Sequence, residues 1–291
     1  MNYYNENDPK AASWLRDLVS LGLIPPGEVD ERSIKDVRPE DLEGYTQCHF
    51  FAGIGGWSYA LQLAGWPPDE PVWTGSCPCQ SLSVAGSRKG HADERHLWPE
   101  FCRLILECSP PVVFGEQVAS PLGRNWLAGV RADLEEMGYG VGAADLCAAG
   151  VGAPQIRQRL FWVADAGFNS WRGSARSKEK GIWRPYGGPT GFGASGWVAD
   201  MQCAGSQGRG TPEEVDQSTT AKRGGPWSDA RWLTCQDGRQ RRIPVEPAFF
   251  PLAHGFPGRV AALKGFGNAI VPQAASEFVM AYAEGRGQEQ E

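Results

Sequence analysis

Several things are scarce in this sequence, and each scarcity narrows what the protein can be. No apolar run reaches the ~18 residues that a membrane-crossing helix needs, and no basic-then-apolar leader is recognisable, so the expected compartment is the cytoplasm. Positive charge is not in excess. With 28 Lys and Arg against 34 Asp and Glu, the net charge of -6 excludes attraction to a polyanion by the molecule as a whole. The eight cysteines are scattered without a regular frame, which argues against disulfides in a chain of this length. No His or Cys pair at zinc-ligand spacing completes the single Cys77-Pro78-Cys79 half-site, so no metal is expected. Internal repeats are also missing. What is present is ordinary for a soluble fold: 291 residues, 41% of them apolar, enough for one large domain or one domain with a small lobe.

Apolar periodicity divides the chain. Residues 1–45 hold one predicted helix, at 11–21, with Trp14, Leu15, Leu18 and Leu21 at helical spacing, then Pro25-Pro26-Gly27 and an acidic stretch. They read as an added N-terminal arm. From 46 to 166 the pattern alternates. Strands are predicted at 48–52, 71–75, 110–116, 139–144 and 160–164, and helices at 57–65, 97–107 and 126–138, the last capped by Gly138. That alternation predicts a parallel α/β sheet with ligands at the carboxyl ends of its strands. Between 167 and 240 the periodicity is lost among Gly, Trp, Ser and Arg, so this segment reads as an irregular inserted lobe. It is locally basic, with 12 Lys and Arg against 7 Asp and Glu from 166 to 242, which makes it the expected contact for any polyanion. Periodicity returns at 247–256 and in a final helix after Pro272, so 241–291 rejoins 46–166 in one domain.

Five clusters carry possible chemistry. Phe51, Ala52, Gly53, Ile54, Gly55 and Gly56 form a small-residue turn between a strand and a helix, where backbone amides can approach a carboxylate or phosphate. Cys79 follows Pro78 and precedes Gln80-Ser81, 28 positions after Phe51, on a loop able to present a thiol. Glu116 ends the apolar run Val112-Val113-Phe114-Gly115, at the strand end that faces a ligand crevice. Gln155, Arg157 and Arg159 alternate along an extended stretch and so share a face. A late Gly267-Asn268-Ala269-Ile270-Val271-Pro272 segment precedes the last helix. The first four taken alone each have a bland alternative: a structural glycine turn, an inert buried thiol, a neighbour of a helix cap, an exposed strand edge.

Together, and in this order, the Phe-x-Gly-x-Gly-Gly turn, Pro78-Cys79-Gln80, Glu116, Gln155-x-Arg157-x-Arg159 and Gly267 to Pro272 resemble the DNA cytosine-5 methyltransferase family over residues 47–165 and 241–279. Gly115-Glu116-Gln117-Val118, in place of Glu-Asn-Val, is similar to its short, phage-associated branch, with a bacterial or phage-infected host cell as the implied setting. The resemblance implies a Rossmann-like methyltransferase sheet with a target-recognition lobe at 167–240, acting on DNA with S-adenosyl-L-methionine. It implies that Cys79 adds to carbon 6 of a flipped cytosine, that Glu116 binds ring nitrogen 3 and the exocyclic amine, and that Arg157 and Arg159 orient the base, with Gln117 in the place of a positioning Asn. Phe51 to Gly56, Pro78 and Asn268 fall in the cofactor-binding positions.

One departure stands out. Typical members carry a further strand, helix and strand between the glycine turn and the Pro-Cys-Gln loop, with acids for the cofactor's ribose and adenine. Here Trp66-Pro67-Pro68-Asp69-Glu70-Pro71 leads almost directly into the strand before Cys79, so the sheet is expected to be truncated in its cofactor half. The pocket would then be completed by the N-terminal arm or a protein partner, or Asp69 or Glu70 would substitute for a missing acid. Alternatively the same cysteine chemistry would use another one-carbon donor, such as methylene-tetrahydrofolate, giving hydroxymethylcytosine. A non-catalytic DNA-binding relative is the third possibility, although mere binding does not require the thiol.

Overall fold

The computed structural model describes residues 1–78, 97–153, 156–167, 199–200, 230–234, 240–244 and 267–287. Cys79, Gln80, Pro154, Gln155, the periodic stretch at 247–256 and most of the expected lobe at 167–240 lie outside the described residues.

The elements follow in the order β1 (Asn2–Asn5), α1 (Pro9–Ser20), β2 (Gly27–Asp30), β3 (Gln47–Phe50), α2 (Gly56–Leu63), β4 (Val72–Gly75), α3 (Trp98–Cys108), β5 (Val112–Val118), α4 (Pro121–Glu136), β6 (Gly140–Cys147), β7 (Gln158–Asp165), β8 (Ala199–Asp200), β9 (Ala230–Thr234), β10 (Gln240–Pro244) and α5 (Pro272–Gly287). An eight-stranded sheet runs β2-β1-β3-β4-β5-β7-β6-β8. Its first five strands are mutually parallel, and β7 is antiparallel to both β5 and β6. β9 and β10 pair separately as an antiparallel hairpin.

Local sequence explains the helix ends. Asp8 accepts the Lys10 N–H at the start of α1 and Pro9 occupies the first helical position. Ser120 does the same for α4 through the Gly123 N–H, again ahead of a proline, and Gly138 follows that helix at φ 93°.

Alternation along the central strands divides two cores. Val113, Leu160, Trp162 and Ala164 pack with Phe101, Leu104 and Ile105 of α3 and Trp126, Leu127 and Val130 of α4. Val112, Phe114, Phe161 and Val163 face the other way, onto Trp57, Ala60 and Leu61 of α2 and Ala274, Ala275 and Val279 of α5. Gly115 lets the Trp162 indole lie flat across β5, since a Cβ there would sit 2.2 Å from the ring.

The N-terminal residues, expected as an arm, are joined to the sheet. β1 pairs with β3 from Asn2↔Gln47 to Asn5↔Phe50, and β2 pairs with β1 on its outer side. Tyr4, Leu15 and Ile24 form a third buried cluster, and Tyr3, Ile34, Val37 and Leu42 enter the α3/α4 core. The connection from β3 to β4 is α2 alone, as short as expected, yet the sheet continues beyond β3 on residues that precede it in sequence.

Candidate active site

The glycine turn leaves the carboxyl end of β3 and enters α2. Phe51 stands at φ 53°, Gly53 at 57° and Gly55 at 77°, so the backbone winds left-handed three times before α2 begins at Gly56. For Phe51 that conformation is strained and is held by its edge-on packing against Phe101. The turn is tied to β1: the Ala52 N–H donates to the Asn5 carbonyl at 3.0 Å, and the Gly53 N–H donates to Glu6 Oε2 at 2.7 Å. Glu6 received no weight from the sequence.

Next in the sheet, β4 ends at Gly75 and leads through Ser76 and Cys77 to the exposed Pro78, the residue before Cys79. Cys77 is buried in the α3/α4 core. The Ser76 hydroxyl accepts the Trp57 indole N–H at 2.9 Å and donates to the Glu116 carboxylate. One side chain thus joins α2, the β4 end and the β5 end. Neither Ser76 nor Trp57 carried a sequence signal beyond its position beside a motif.

Glu116, only 9% exposed, lies opposite Phe161, while Arg159 lies opposite Val118; the two are diagonal neighbours on the α2/α5 face. Arg159 Nε stands 2.7 Å from Glu116 Oε1. Burial pushes the Glu116 carboxyl above the ordinary carboxylate range, against the opposing pull of Arg159, Arg157 and the Ser76 hydrogen bond. A carboxyl so placed holds a proton more readily than a surface one and can donate it.

Arg157 donates to the carbonyls of Gly267 at 2.9 Å and Ala269 at 2.7 Å, clamping the segment around the exposed Asn268 to the start of β7. Burial and the neighbouring Arg159 charge lower its pKa, and its buried Nε has no hydrogen-bond partner among the described residues. Beyond this clamp, Ile270 packs over Gly56, which carries the late segment to the glycine turn.

Gln117 is placed apart from these groups. It lies opposite Leu160 and turns to the α3/α4 face, where its Oε1 accepts the Val118 N–H and its buried Nε2 has no partner among the described residues. Asp69 and Glu70 are also remote: they precede β4, at the amino edge of the sheet, and Glu70 pairs with Arg286 at 2.7 Å. A cleft of about 460 Å³ beside α2 is lined by Pro26, Gln47 and Pro68, at the same amino edge. Among the described residues no group of three His, Cys, Asp or Glu could hold a metal, and no helix is long and apolar enough to cross a membrane.

A glycine turn after β3 and a buried carboxylate–arginine pair on β5 and β7, at the same edge of an open α/β sheet, define a ligand crevice outside the carboxyl ends of its parallel strands. Residues 68–180 match the family described as C-5 cytosine-specific DNA methylase. Among curated relatives, the chain is similar to the type II methyltransferase M.HhaI of Haemophilus parahaemolyticus, at 28% identity over 44% of this chain and 51% of that protein. It is also similar to M.NlaX of Neisseria lactamica, at 34% identity over 46% of each. The chain therefore spans about half the length of these relatives. Solved structures that overlap it include the Dnmt2 methyltransferase of S. pombe, with 14% identity, 63% of this chain and 53% of that one covered, and a TM-score of 0.35. A putative DNA modification methyltransferase from an E. coli prophage overlaps 58% of this chain and 48% of its own, at 16% identity and a TM-score of 0.35.

Proposed function

We propose that this chain is a DNA cytosine carbon-5 methyltransferase acting through a covalent Cys79 adduct. The observation that carries the reading is the buried Glu116 carboxyl, held between Arg159 and Ser76 one strand from the Pro78 that introduces Cys79, inside the segment that matches the methylase family. Carbon 5 of cytosine is a weak nucleophile until the ring is activated. The Cys79 thiolate forms an Sγ–C6 bond, and the electron pair of the C5=C6 double bond shifts to leave carbon 5 nucleophilic. Glu116, carrying its proton, donates to ring nitrogen 3 and so neutralises the charge that the addition pushes into the ring. Arg159 fixes the carboxyl, and Arg157 fixes the late segment behind the base. After carbon 5 has been alkylated, loss of its proton and expulsion of the Cys79 thiolate restore the aromatic ring.

The glycine turn fits a cofactor with an amino-acid end: its left-handed residues lead into α2 at Gly56, and the amides of that helix's first turn lack intrahelical partners. S-adenosyl-L-methionine would be held there by Phe51 to Gly56, Pro78 and Asn268, and when bound it supplies an electrophilic methyl group. A cytosine must leave the duplex to meet Cys79, and the locally basic segment between 166 and 242 is suited to the DNA backbone.

The test is to incubate the protein with DNA and either S-adenosyl-L-methionine or methylene-tetrahydrofolate, digest to nucleosides and measure them by mass spectrometry. Methylcytosine with the first donor is expected. Hydroxymethylcytosine with the second would establish the other one-carbon chemistry, and unmodified cytosine throughout would leave a DNA-binding relative. In the same assay Cys79→Ala yields no product while gel-shift affinity for DNA stays within a few-fold.

A further inference from the structure

In sequence, the stretch that should carry an acid for the cofactor's ribose is missing downstream of the glycine turn. In space, the position beside that turn is filled. β1, α1 and β2 form a strand–helix–strand unit lying next to β3, parallel to it, on the side away from β4. Glu6 directly follows the last residue of β1, so it stands at the carboxyl edge of the strand neighbouring the glycine turn. In open parallel sheets this is where a carboxylate takes the hydroxyls of a nucleoside ribose while the adjoining turn takes the rest of the ligand.

Three observations single out Glu6. Its Oε2 accepts the Gly53 N–H at 2.7 Å, so the carboxylate sits against the turn itself and does not point away from it. Its Oε1 accepts the Asp8 N–H at 2.8 Å, which fixes the carboxylate from the N-cap of α1 and leaves each oxygen a second lone pair. The rival acids are elsewhere: Asp69 and Glu70 lie at the opposite edge, Glu70 being paired with Arg286, and Asp30 at the end of β2 is taken up by the Tyr3 hydroxyl at 2.6 Å and by Arg32 at 2.7 Å.

We propose that the N-terminal β1–α1–β2 unit supplies the nucleoside half of the cofactor site, and that Glu6 binds the vicinal diol of an adenosyl ribose. The assignment rests on the reading that the donor is an adenosyl compound, and it makes the short segment between the two opening motifs a change of chain order, with the missing half supplied from upstream.

Isothermal titration tests it with S-adenosylhomocysteine and its 2′-deoxyribosyl counterpart as probes, on the wild type and on Glu6→Gln. The wild type should prefer the ribosyl compound by ~10- to 100-fold, the range expected of hydrogen bonds to a charged group. In Glu6→Gln that preference should collapse to within a few-fold. A preference that survives the substitution, or an equal loss for both compounds, would overturn the assignment, the latter by reducing Glu6 to a prop for the Gly53 turn. Because the readout is a ratio of two affinities on one variant, partial loss of fold lowers both and leaves the ratio. Failure of the underlying reading looks different: the wild type itself then binds neither compound.

Discussion

At the scale of single residues, Glu116 concentrates the chemistry because two opposed effects act on it. Burial raises its pKa, while Arg159 Nε at 2.7 Å and the Ser76 hydroxyl favour the charged form, and burial wins. A proton donor is active only when protonated, so the rate should fall as pH rises through this raised pKa, whereas the Cys79 thiolate requirement makes it rise with pH. A bell-shaped kcat/KM profile is expected. Glu116→Gln keeps the shape and a hydrogen-bonding amide but has no acidic proton. Its kcat should drop by ~100- to 10,000-fold, and its profile should keep only the rising limb. A Glu116→Gln enzyme with an unaltered bell would remove the donor role. The neighbouring Gly115 makes a separate prediction about stability. An added Cβ would meet the Trp162 indole at 2.2 Å, so Gly115→Ala should lower the unfolding free energy by about 1–3 kcal/mol in urea titrations.

At the scale of elements, the parts legible in the sequence are those with a clear apolar period. β3, α2, β4, α3, β5 and α4 each bury one face or both against a neighbour, and their positions were readable from spacing alone. β1 and β2 were not, because Asn2-Tyr3-Tyr4-Asn5 is buried on both faces with polar ends, and Gly27-Glu28-Val29-Asp30 is a half-buried edge strand. Neither shows alternation. The reversed direction of β7 was likewise hidden, since strand direction is set by pairing and not by composition. Within the site, the carboxylate at the end of β5 could be anticipated, but the Trp57–Ser76–Glu116 chain and the Arg157 clamp on Gly267 and Ala269 join residues far apart in sequence. The polar ends of β1 have a use: Asn2 donates to His49 Nε2 at 3.4 Å, so the neutral ring carries its proton on Nδ1 and donates to Thr74 at 2.8 Å. β1, β3 and β4 are stitched through one imidazole, stacked on Tyr4. Burial pushes the His49 pKa down to about 3, so the fold requires the neutral form. The depressed folded value means that His49's contribution is complete above its ordinary pKa of ~6.5 and is lost as pH falls from there toward about 3, with a limiting slope of ~1.4 kcal/mol per pH unit. The difference in unfolding free energy between wild type and His49→Gln, from urea titrations between pH 7 and pH 4, should show this one-proton slope.

At the scale of the whole molecule, the arrangement in space is independent of the order in which the chain visits it. The residues where a different order could be spliced lie together at the amino edge of the sheet. The Met1 carbonyl accepts the Thr46 N–H at 3.2 Å, the Thr46 carbonyl accepts the Val72 N–H at 3.2 Å, and the Gln47 side chain donates to the Pro67 carbonyl at 3.1 Å. Residue 67 can therefore be joined to residue 1, and residue 45 to residue 71, by short glycine–serine linkers without crossing the sheet. The resulting chain, running 46–67, 1–45 and 71–291, places β1–α1–β2 after the glycine turn while keeping every strand pairing. Loop closure over such short spans costs little, because its entropy grows only with the logarithm of loop length. The relinked protein should give the same far-UV circular dichroism, melt within a few degrees of the original and bind S-adenosylhomocysteine with comparable affinity. By contrast, a chain lacking residues 1–45 loses Tyr3, Ile34, Val37 and Leu42 from the α3/α4 core and leaves β3 as an unpaired edge, so it should be insoluble or unfolded. If the relinked chain fails to fold while the original does, the N-terminal unit is more than a rearranged half of the sheet, and its present order in the chain is itself required.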